Sequence, residues 1–569
     1  MSIDSSMIPA SPHNDGPCGH THRSTRRQFL ATAAAGAKVA AKVAATIAAT
    51  ATGSALAWGG CTGAPSFGGG IVGPDRILGH RLRDRDLPPP DASERHNVVI
   101  LGGGIAGLSA ARSLAQRSIR DVVLLELESD TGGNSRSGIN AVSAHPWGAH
   151  YLPLPGPQAT EVLQLLQELG VTTGHDALGR PVYREEFLCH DPAERLFVHG
   201  RWQEGLIPQL GLDAGERDQV STFLARMETY RRSLGSDGLP AFAIPVDRSS
   251  QDPSLLALDR ITMAQWMDRE GFRAAPLRRY VNYCCRDDFG TGIAQVSAWA
   301  GIHYFAARSG VAANAPSHSV LTWPEGNGWL AARLREQVAP AQIRTRHAVF
   351  GIRPDDHGAE IDVFDATLGR SLRMECRALI VATPRFVYRR LRGLPPDSAA
   401  QYPPWMVANL TLHSRPDSHG MPLCWDNVID GSPGLGYVHA GHQSLHPRPN
   451  GTVLTYYRPL DHADPSTARG EALKADWAHW SDLTLADLSV AHPDLRRRIE
   501  RLDVQVWGHG MIAPSPGFLW GHRLSAMTHR DGAVHFAHSD MSGISLFEEA
   551  YIRGLRAADA VYQQLQTTA

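Results

Sequence analysis

The chain has 569 residues, with 55 Lys+Arg against 57 Asp+Glu for a formal net charge of −2, and 43% of its residues are apolar. So even a balance provides no global basic field to gather nucleic acid or an anionic membrane, which makes a small molecule the expected partner. Seven cysteines with no zinc-type spacing exclude a disulfide scaffold, and 27 histidines without an H-E-x-x-H or C-x-x-C pattern give no metal site.

Near the start, Ser24-Thr25-Arg26-Arg27-Gln28-Phe29-Leu30 opens a run of Ala, Thr and Val that ends at Ser54-Ala55-Leu56-Ala57. This resembles a twin-arginine export signal over residues 1–57, with cleavage near Ala57. The resemblance implies the twin-arginine export machinery as a partner and a periplasmic or extracellular location. Lys38 and Lys42 interrupt the run, and no uninterrupted apolar stretch of spanning length follows it, so no membrane span is expected. Lipid anchoring at Cys61 is the alternative, disfavoured by Trp58 where a small aliphatic residue is usual. Residues 58–95, rich in Gly, Pro, Arg and Asp and including Leu87-Pro88-Pro89-Pro90, read as a linker, so the folded body is expected to begin near His96.

The chemistry starts at a glycine turn. Asn97-Val98-Val99-Ile100-Leu101 reads as a buried strand, Gly102-Gly103-Gly104-Ile105-Ala106-Gly107 as a turn, and Leu108 to Gln116 as a helix. A second strand, Asp121 to Leu125, ends at Glu126. Strand, G-x-G-x-x-G, helix, strand and acid form the dinucleotide-binding unit. Gly102 makes the tight turn, Gly104 lets backbone N–H groups approach a pyrophosphate, and Gly107 lets helix and strand touch. The helix N-terminus at Ile105 and Ala106 favours the phosphate charge, while Glu126 accepts from an adenosine ribose and repels a 2′-phosphate.

Beyond Glu126 the chain reads Asp130-Thr131-Gly132-Gly133-Asn134-Ser135-Arg136-Ser137, and then Pro146-Trp147-Gly148-Ala149-His150-Tyr151. Arg377 to Pro384, containing Ala382-Thr383-Pro384, reads as a strand and turn. Ala533-Val534-His535-Phe536-Ala537 reads as a strand, followed by Asp540 and a helix from about Phe547 to Gln566 with a face of small residues at Ala550, Gly554, Ala557 and Ala558. In this order the segments resemble the flavin-containing amine oxidase superfamily. The resemblance implies noncovalent FAD. Gly133 and Asn134 would stand where the family meets the diphosphate, with Arg136 supplying the displaced charge. Gly148, Ala149 and His150 would lie beside the isoalloxazine, Val349 at the adenine, Asp540 at the ribityl chain, and Phe547 and Glu548 at the flavin's polar edge.

The departures fall in the substrate pocket. Phe547 occupies a position where tyrosine is commoner, Trp507 is a second candidate wall, and Asn409 falls where the family often carries a lysine. Tyr283-Cys284-Cys285-Arg286-Asp287-Asp288 reads as buried cysteines beside a solvated charge cluster and is assigned no role. Trp323-Pro324-Glu325-Gly326-Asn327-Gly328-Trp329-Leu330 resembles the family's glycine turn leading back into the nucleotide domain. No catalytic side chain and no metal ligand is identified.

The expected fold is α/β, with an FAD-binding Rossmann-like domain of the glutathione-reductase type interleaved with an α+β substrate domain. Residues 96–153, 317–395 and 525–569 are assigned to the first, and 154–316 and 396–524 to the second. The expected function is that of an exported FAD-dependent oxidoreductase taking a hydride from the carbon next to nitrogen of a small amine. A C–C desaturase and a noncatalytic flavin-binding protein are the alternatives.

Overall fold

A computed structural model of the protein describes residues 67–84, 86–397, 399–444, 451–521 and 531–567. The export signal, Cys61 and the boundary expected near residue 525 lie outside the described residues. From Pro65 onward the chain forms one compact unit, built on two sheets.

The first sheet has seven strands. Its centre is Ala92–Leu101, paired in parallel with Val122–Leu125 on one side and Arg370–Val381 on the other, so that Ile100 lies opposite both Leu124 and Ile380. Val98, Val99 and Ile100 are completely buried, as a parallel strand covered on both faces requires. Val534–Phe536 adds in parallel beyond Arg370–Val381. The run from Ile343 to Pro354 forms two strands. Arg346 at φ +59° separates Ile343–Arg344 from His347–Pro354. The first piece extends the parallel edge, and the second forms an antiparallel meander with Ala359–Asp365 and Arg370–Val381.

The helix Ile105–Gln116 starts directly at the glycine turn and is buried along most of its length. The C-terminal helix Phe547–Thr567 packs across it through its small face. At Gly554 a Cβ would overlap the Ala106 carbonyl and come within 2.9 Å of Ser109 Cβ, so the two helices meet backbone to backbone.

The second sheet is mixed and has eight strands, among them Trp405–Leu412 at its interior, flanked by Thr452–Pro459 and Ile499–Trp507. At its far end Asp426–Ile429 runs parallel to Glu194–Val198. The helices Ala214–Arg232, Met263–Arg269, Ala275–Phe289 and Ala298–Ala306 form a separate apolar core around Phe223, Trp266 and Trp299.

One expectation changes here. Inside the segment read as a linker, Gly68–Gly73 is a strand paired in parallel with Ile499–Trp507, and Arg76–Asp84 is a helix. The central strand of the first sheet also begins at Ala92 rather than near His96. Gly68-Gly69-Gly70 has no side chains to create a periodic pattern, so the strand leaves no trace in the sequence. Its place depends on the exposed edge of a strand more than 400 positions away. Asp75 fastens the segment, donating its N–H to Glu128 Oε1 (3.0 Å) and pairing with Arg346 (2.5 Å).

Candidate active site

Two connected hollows follow from this architecture. The first is a groove of about 340 Å³ along the carboxyl ends of the parallel strands, lined by Gly102, Gly104, Glu126, Val349, Thr383 and Asp540. Ligands of open α/β sheets bind at this edge. Gly102 turns with φ +103°, where a Cβ would stand 2.8 Å from the Ala382 carbonyl oxygen. Gly104 faces open space, its nearest neighbour to a hypothetical Cβ being Gly133 Cα at 3.9 Å. Gly107 does not line the groove. A Cβ there would overlap the Gly102 carbonyl, which is the helix-to-turn contact expected of the third glycine. Ile105, Ala106, Gly133, Asn134 and Ala149 line the same groove.

Glu126 accepts from the N–H groups of Gly103 (2.7 Å) and Glu128 (2.9 Å), one to each carboxylate oxygen. Burial pushes its pKa up, against those two donors. Each oxygen keeps a lone pair for a further donor on the groove side. Asp540, 1% exposed, accepts at Oδ2 from the Arg385 N–H (2.9 Å) and the Tyr402 hydroxyl (2.6 Å). Burial raises its pKa, but His538 and these donors more than offset that, so the carboxyl lies below its usual range. Its Oδ1 lies 3.1 Å from His538 Nδ1, while Thr383 Oγ1 on the same groove is buried without a partner. Further along, the equally unpartnered Asn327 Oδ1 lines the second hollow. Buried polar atoms without partners are uncommon in folded proteins. These two, with a glycine cradle that leaves a helix N-terminus open, the Asp540 carboxylate and a ribose-type acid at one end, fit the hydroxyls, phosphates and polar ring edge of FAD.

The second hollow lies between the two sheets and shares Asn134, Ala149, Leu546 and Phe547 with the groove. Its walls include Gly148, His150, Trp405, Tyr457 and Trp507. His150 stacks on Tyr457 with ring centroids 4.6 Å apart and lies 5.7 Å from Trp425. Burial lowers its pKa to about 4, so the imidazole is neutral at pH 7. Trp507 donates its indole N–H to the Trp147 carbonyl (2.7 Å), which fixes the ring as a wall. Gly148 is obligatory, since a Cβ would overlap the Asn134 carbonyl.

Three expected site residues are displaced. Arg136 lines neither hollow: it pairs with Glu128 (3.0 Å), a carboxylate two residues past Glu126. Asn409 is 2% exposed and spent internally, donating to the Pro146 carbonyl (3.0 Å) and accepting from Thr455 (2.6 Å), so it supports the turn and lines no substrate space. Glu548 lines the second hollow rather than the nucleotide groove.

The largest surprise is the charge cluster read as solvated. Asp287 and Asp288 line the second hollow, because the helix Ala275–Phe289 buries Cys284 and Cys285 on one side and turns the aspartates inward. Asp288 pairs with Arg308 (2.7 Å), which also donates to the Tyr151 hydroxyl (3.1 Å), and that hydroxyl faces Asp287 (3.4 Å). Desolvation, reinforced by the neighbouring Asp288, raises the pKa of Asp287. Burial likewise lifts Glu548 to about 7. Arg308, Tyr457 and Trp425 have no motif around them, and only the packing of the second sheet against the helices brings them here.

Comparison with known proteins gives the setting. A NAD(P)-binding Rossmann-like domain matches residues 100–169. Over 534 residues the chain is 22% identical to the oxidoreductase PigB of Serratia sp., covering 84% of this chain and 76% of that protein. It is 37% identical over 84 residues to the flavin-containing amine oxidase A of Bos taurus, a match spanning 15% of each protein. Among solved structures, wild-type putrescine oxidase bound to putrescine superposes with a TM-score of 0.60 at 14% identity, over 83% of this chain and all of that one. Cyclohexylamine oxidase from Brevibacterium oxydans gives 0.57 at 17% identity, over 83% and 99%. These likenesses fix the fold as that of the FAD-binding oxidases.

Proposed function

We propose that this protein, an FAD-dependent oxidoreductase in its fold and its nucleotide groove, oxidises an amine at the carbon next to nitrogen. One observation carries the reading: the hollow beside the cofactor groove is walled by aromatic rings and holds the half-buried carboxylate of Asp287 and the buried one of Glu548. An ammonium is stabilised by such groups, whereas a lipophilic alkene only adds to their desolvation cost. Amine oxidation is therefore favoured over C–C desaturation.

Bound FAD supplies the hydride-accepting centre. The chain's own residues do the rest. Glu126 would hold the adenosine ribose, the N–H groups from Gly104 to Ala106 the phosphates, and Asp540 and Thr383 the hydroxylated chain. His150, Tyr457 and Trp507 orient the substrate carbon and exclude water, so that the reacting C–H is presented in one geometry. The amine must reach that geometry neutral, and Glu548 is placed to take the ammonium proton on its carboxylate. Moving a proton from an amine of pKa near 10 to a carboxylate near 7 costs about 4 kcal/mol, and desolvation of the ammonium reduces that cost.

The test is the visible spectrum of the purified protein under anaerobic conditions. Oxidised flavin absorbance that disappears on adding primary amines, and survives lipophilic alkenes, is the expected result; bleaching by alkenes alone overturns the assignment. Export is part of the same proposal, supported by the Arg26-Arg27 segment and the small-residue site at Ala57. Replacing both arginines by lysine is expected to hold the protein in the cytoplasm, and unchanged delivery to the periplasm would refute it.

A further inference from the structure

The proton that Glu548 takes has to leave. An ammonium substrate gives one proton to this carboxylate, the neutral amine then yields a hydride to oxidised FAD, and the product departs as an iminium, so one proton per turnover is left on Glu548. That side chain is 2% exposed, has no hydrogen-bond donor among the described residues but its own N–H, and faces a hollow that the bound amine occupies. Behind the hollow the space continues into a chamber of about 500 Å³, which shares Tyr151, Asp287 and Arg308 with it and reaches the surface beside Glu194 and His318, both exposed. Asp426 lies on the chamber wall, half-buried like Asp287. The acids therefore run in order of exposure: Glu548 in the hollow, Asp287 on the boundary, Asp426 in the chamber and Glu194 at the mouth. Strand register places the last two together, since Asp426–Ile429 runs parallel to Glu194–Val198 with Asp426 opposite Glu194.

Tyrosines stand in the intervals. The Tyr151 hydroxyl lies 3.4 Å from Asp287 and the Tyr283 hydroxyl 3.3 Å from Asp426, and the charges of both Asp426 and Asp287 reach Tyr283. A hydroxyl donates and accepts at once, so it passes a proton on without ionising. The charged groups around the line set how readily its acids exchange protons. Burial raises Asp287 and Asp426; Asp288 adds to the first, and Glu194 and Asp287 to the second. Arg308, paired with Asp288 (2.7 Å), offsets part of this at Asp287, and His318 and Arg308 offset part of the burial of Glu194. Arg231, also on the chamber wall, is held by the Phe305 carbonyl (2.8 Å) and Glu228 (3.3 Å). Carboxyls pushed up in this way take and return protons near neutral pH, where surface carboxylates simply stay ionised.

We propose that Asp287, Tyr283, Asp426 and Glu194 form a proton relay that carries the substrate's proton from Glu548 through the chamber to solvent. Water between the side chains completes the path, and the bound amine, which closes the hollow, does not block it because the relay leaves through the wall at Asp287. No group is consumed: each carboxyl gains a proton on the hollow side and loses one on the chamber side. This inference rests on the amine-oxidising reading of the site and on Glu548 as its proton acceptor.

The experiment follows a single anaerobic turnover of the FAD-loaded protein with a primary amine, reading flavin bleaching and, through a pH-indicator dye, proton release. In the wild type the two should coincide. In Asp426→Asn bleaching should keep its rate, while the proton appears more slowly by about tenfold or more, the lower side of what a lost proton-transfer group costs. Asp426→Glu, or added formate as a small mobile acid, should bring the two signals back together, which a merely structural role would not allow. Coincident signals in Asp426→Asn would mean that the proton leaves through chamber water alone and overturn the proposal, as would a delay that neither formate nor Asp426→Glu shortens. A second readout needs no turnover: the infrared carboxyl band of the wild type near neutral pH should contain a component that exchanges in D2O and is missing from Asp426→Asn. If no amine bleaches the wild type, the oxidation reading has failed and the infrared comparison decides alone: identical bands overturn the relay, and a missing component keeps Asp426 as a proton-exchanging group. Should Asp426→Asn not fold, Tyr283→Phe carries the comparison by removing the hydroxyl between Asp287 and Asp426.

Discussion

Glu126 does two jobs at once. Its carboxylate closes the glycine turn by accepting from Gly103 and Glu128, and the same oxygens face the groove where a ribose would lie. Glu126→Ala is therefore expected to strand two backbone donors at about 1–3 kcal/mol each if they stay dry, and to lower flavin content sharply. The ratio of flavin to protein absorbance after gel filtration, with the unfolding midpoint measured in parallel, separates the two effects. Glu548→Gln keeps the shape of the wall but removes the proton acceptor. The rate of flavin reduction by amines should fall by about 10²–10⁴ at neutral pH, the usual range for a lost acid–base group, while flavin content is retained.

A third residue, Asp259, sits away from the site and sets a pH dependence. It is 1% exposed, accepts at Oδ2 from the Trp520 N–H (3.1 Å), and leaves Oδ1 without a partner. Burial raises its pKa from 3.8 to about 6. With the folded value above the unfolded one, its contribution is complete below pH 4 and is lost as pH rises through about 6, because the unfolded chain ionises first. Asp259→Asn should remove that slope, gaining about 2–3 kcal/mol on the wild type between pH 4 and 7 in denaturant titrations. Parallel pH profiles for the two proteins would show the assignment to be wrong.

Among the elements, the pairing of the helices Ile105–Gln116 and Phe547–Thr567 ties the nucleotide groove to the substrate hollow. The first carries the phosphate-facing N-terminus; the second begins with Phe547 and Glu548. They approach this closely because position 554 has no side chain. Gly554→Val forces them apart at the end that bears Ala106, with an expected cost of about 1–3 kcal/mol and a loss of bound flavin out of proportion to it. Thermal unfolding with and without added FAD measures both. An unchanged midpoint would mean that the backbone contact contributes little.

At the scale of the whole molecule, the Gly68–Gly73 strand and the Asp75 anchor make the segment before His96 part of the fold. It covers the edge of Ile499–Trp507, a strand that ends on the substrate wall at Trp507. A chain begun at Pro65 should fold as the longer protein does. One begun at His96 should expose that edge, aggregate more readily and unfold earlier, since an uncovered strand edge is a template for pairing. Equal solubility and midpoint for the two would reduce the segment to an accessory.

The sequence alone determined the nucleotide half of this protein. Gly102, Gly104, Gly107 and Glu126 act within a run of 25 residues, so their chemistry is local: a turn, a helix N-terminus and the acid that follows the next strand. The small face of the last helix was legible for a similar reason, since spacing along one helix fixes which residues share a face, whereas Asp540 was expected only from the resemblance to the flavin-containing amine oxidases. Only the tertiary structure decided the substrate half. Arg136 looks like a phosphate ligand until Glu128 claims it, and Asp287 looks solvated until the second sheet closes over it. Glu194 and Asp426 come to lie opposite each other only through a strand register spanning more than 230 positions. Whether a carboxylate is screened by water or left unpaired in a cavity depends on what packs over it, and that is a property of the folded chain.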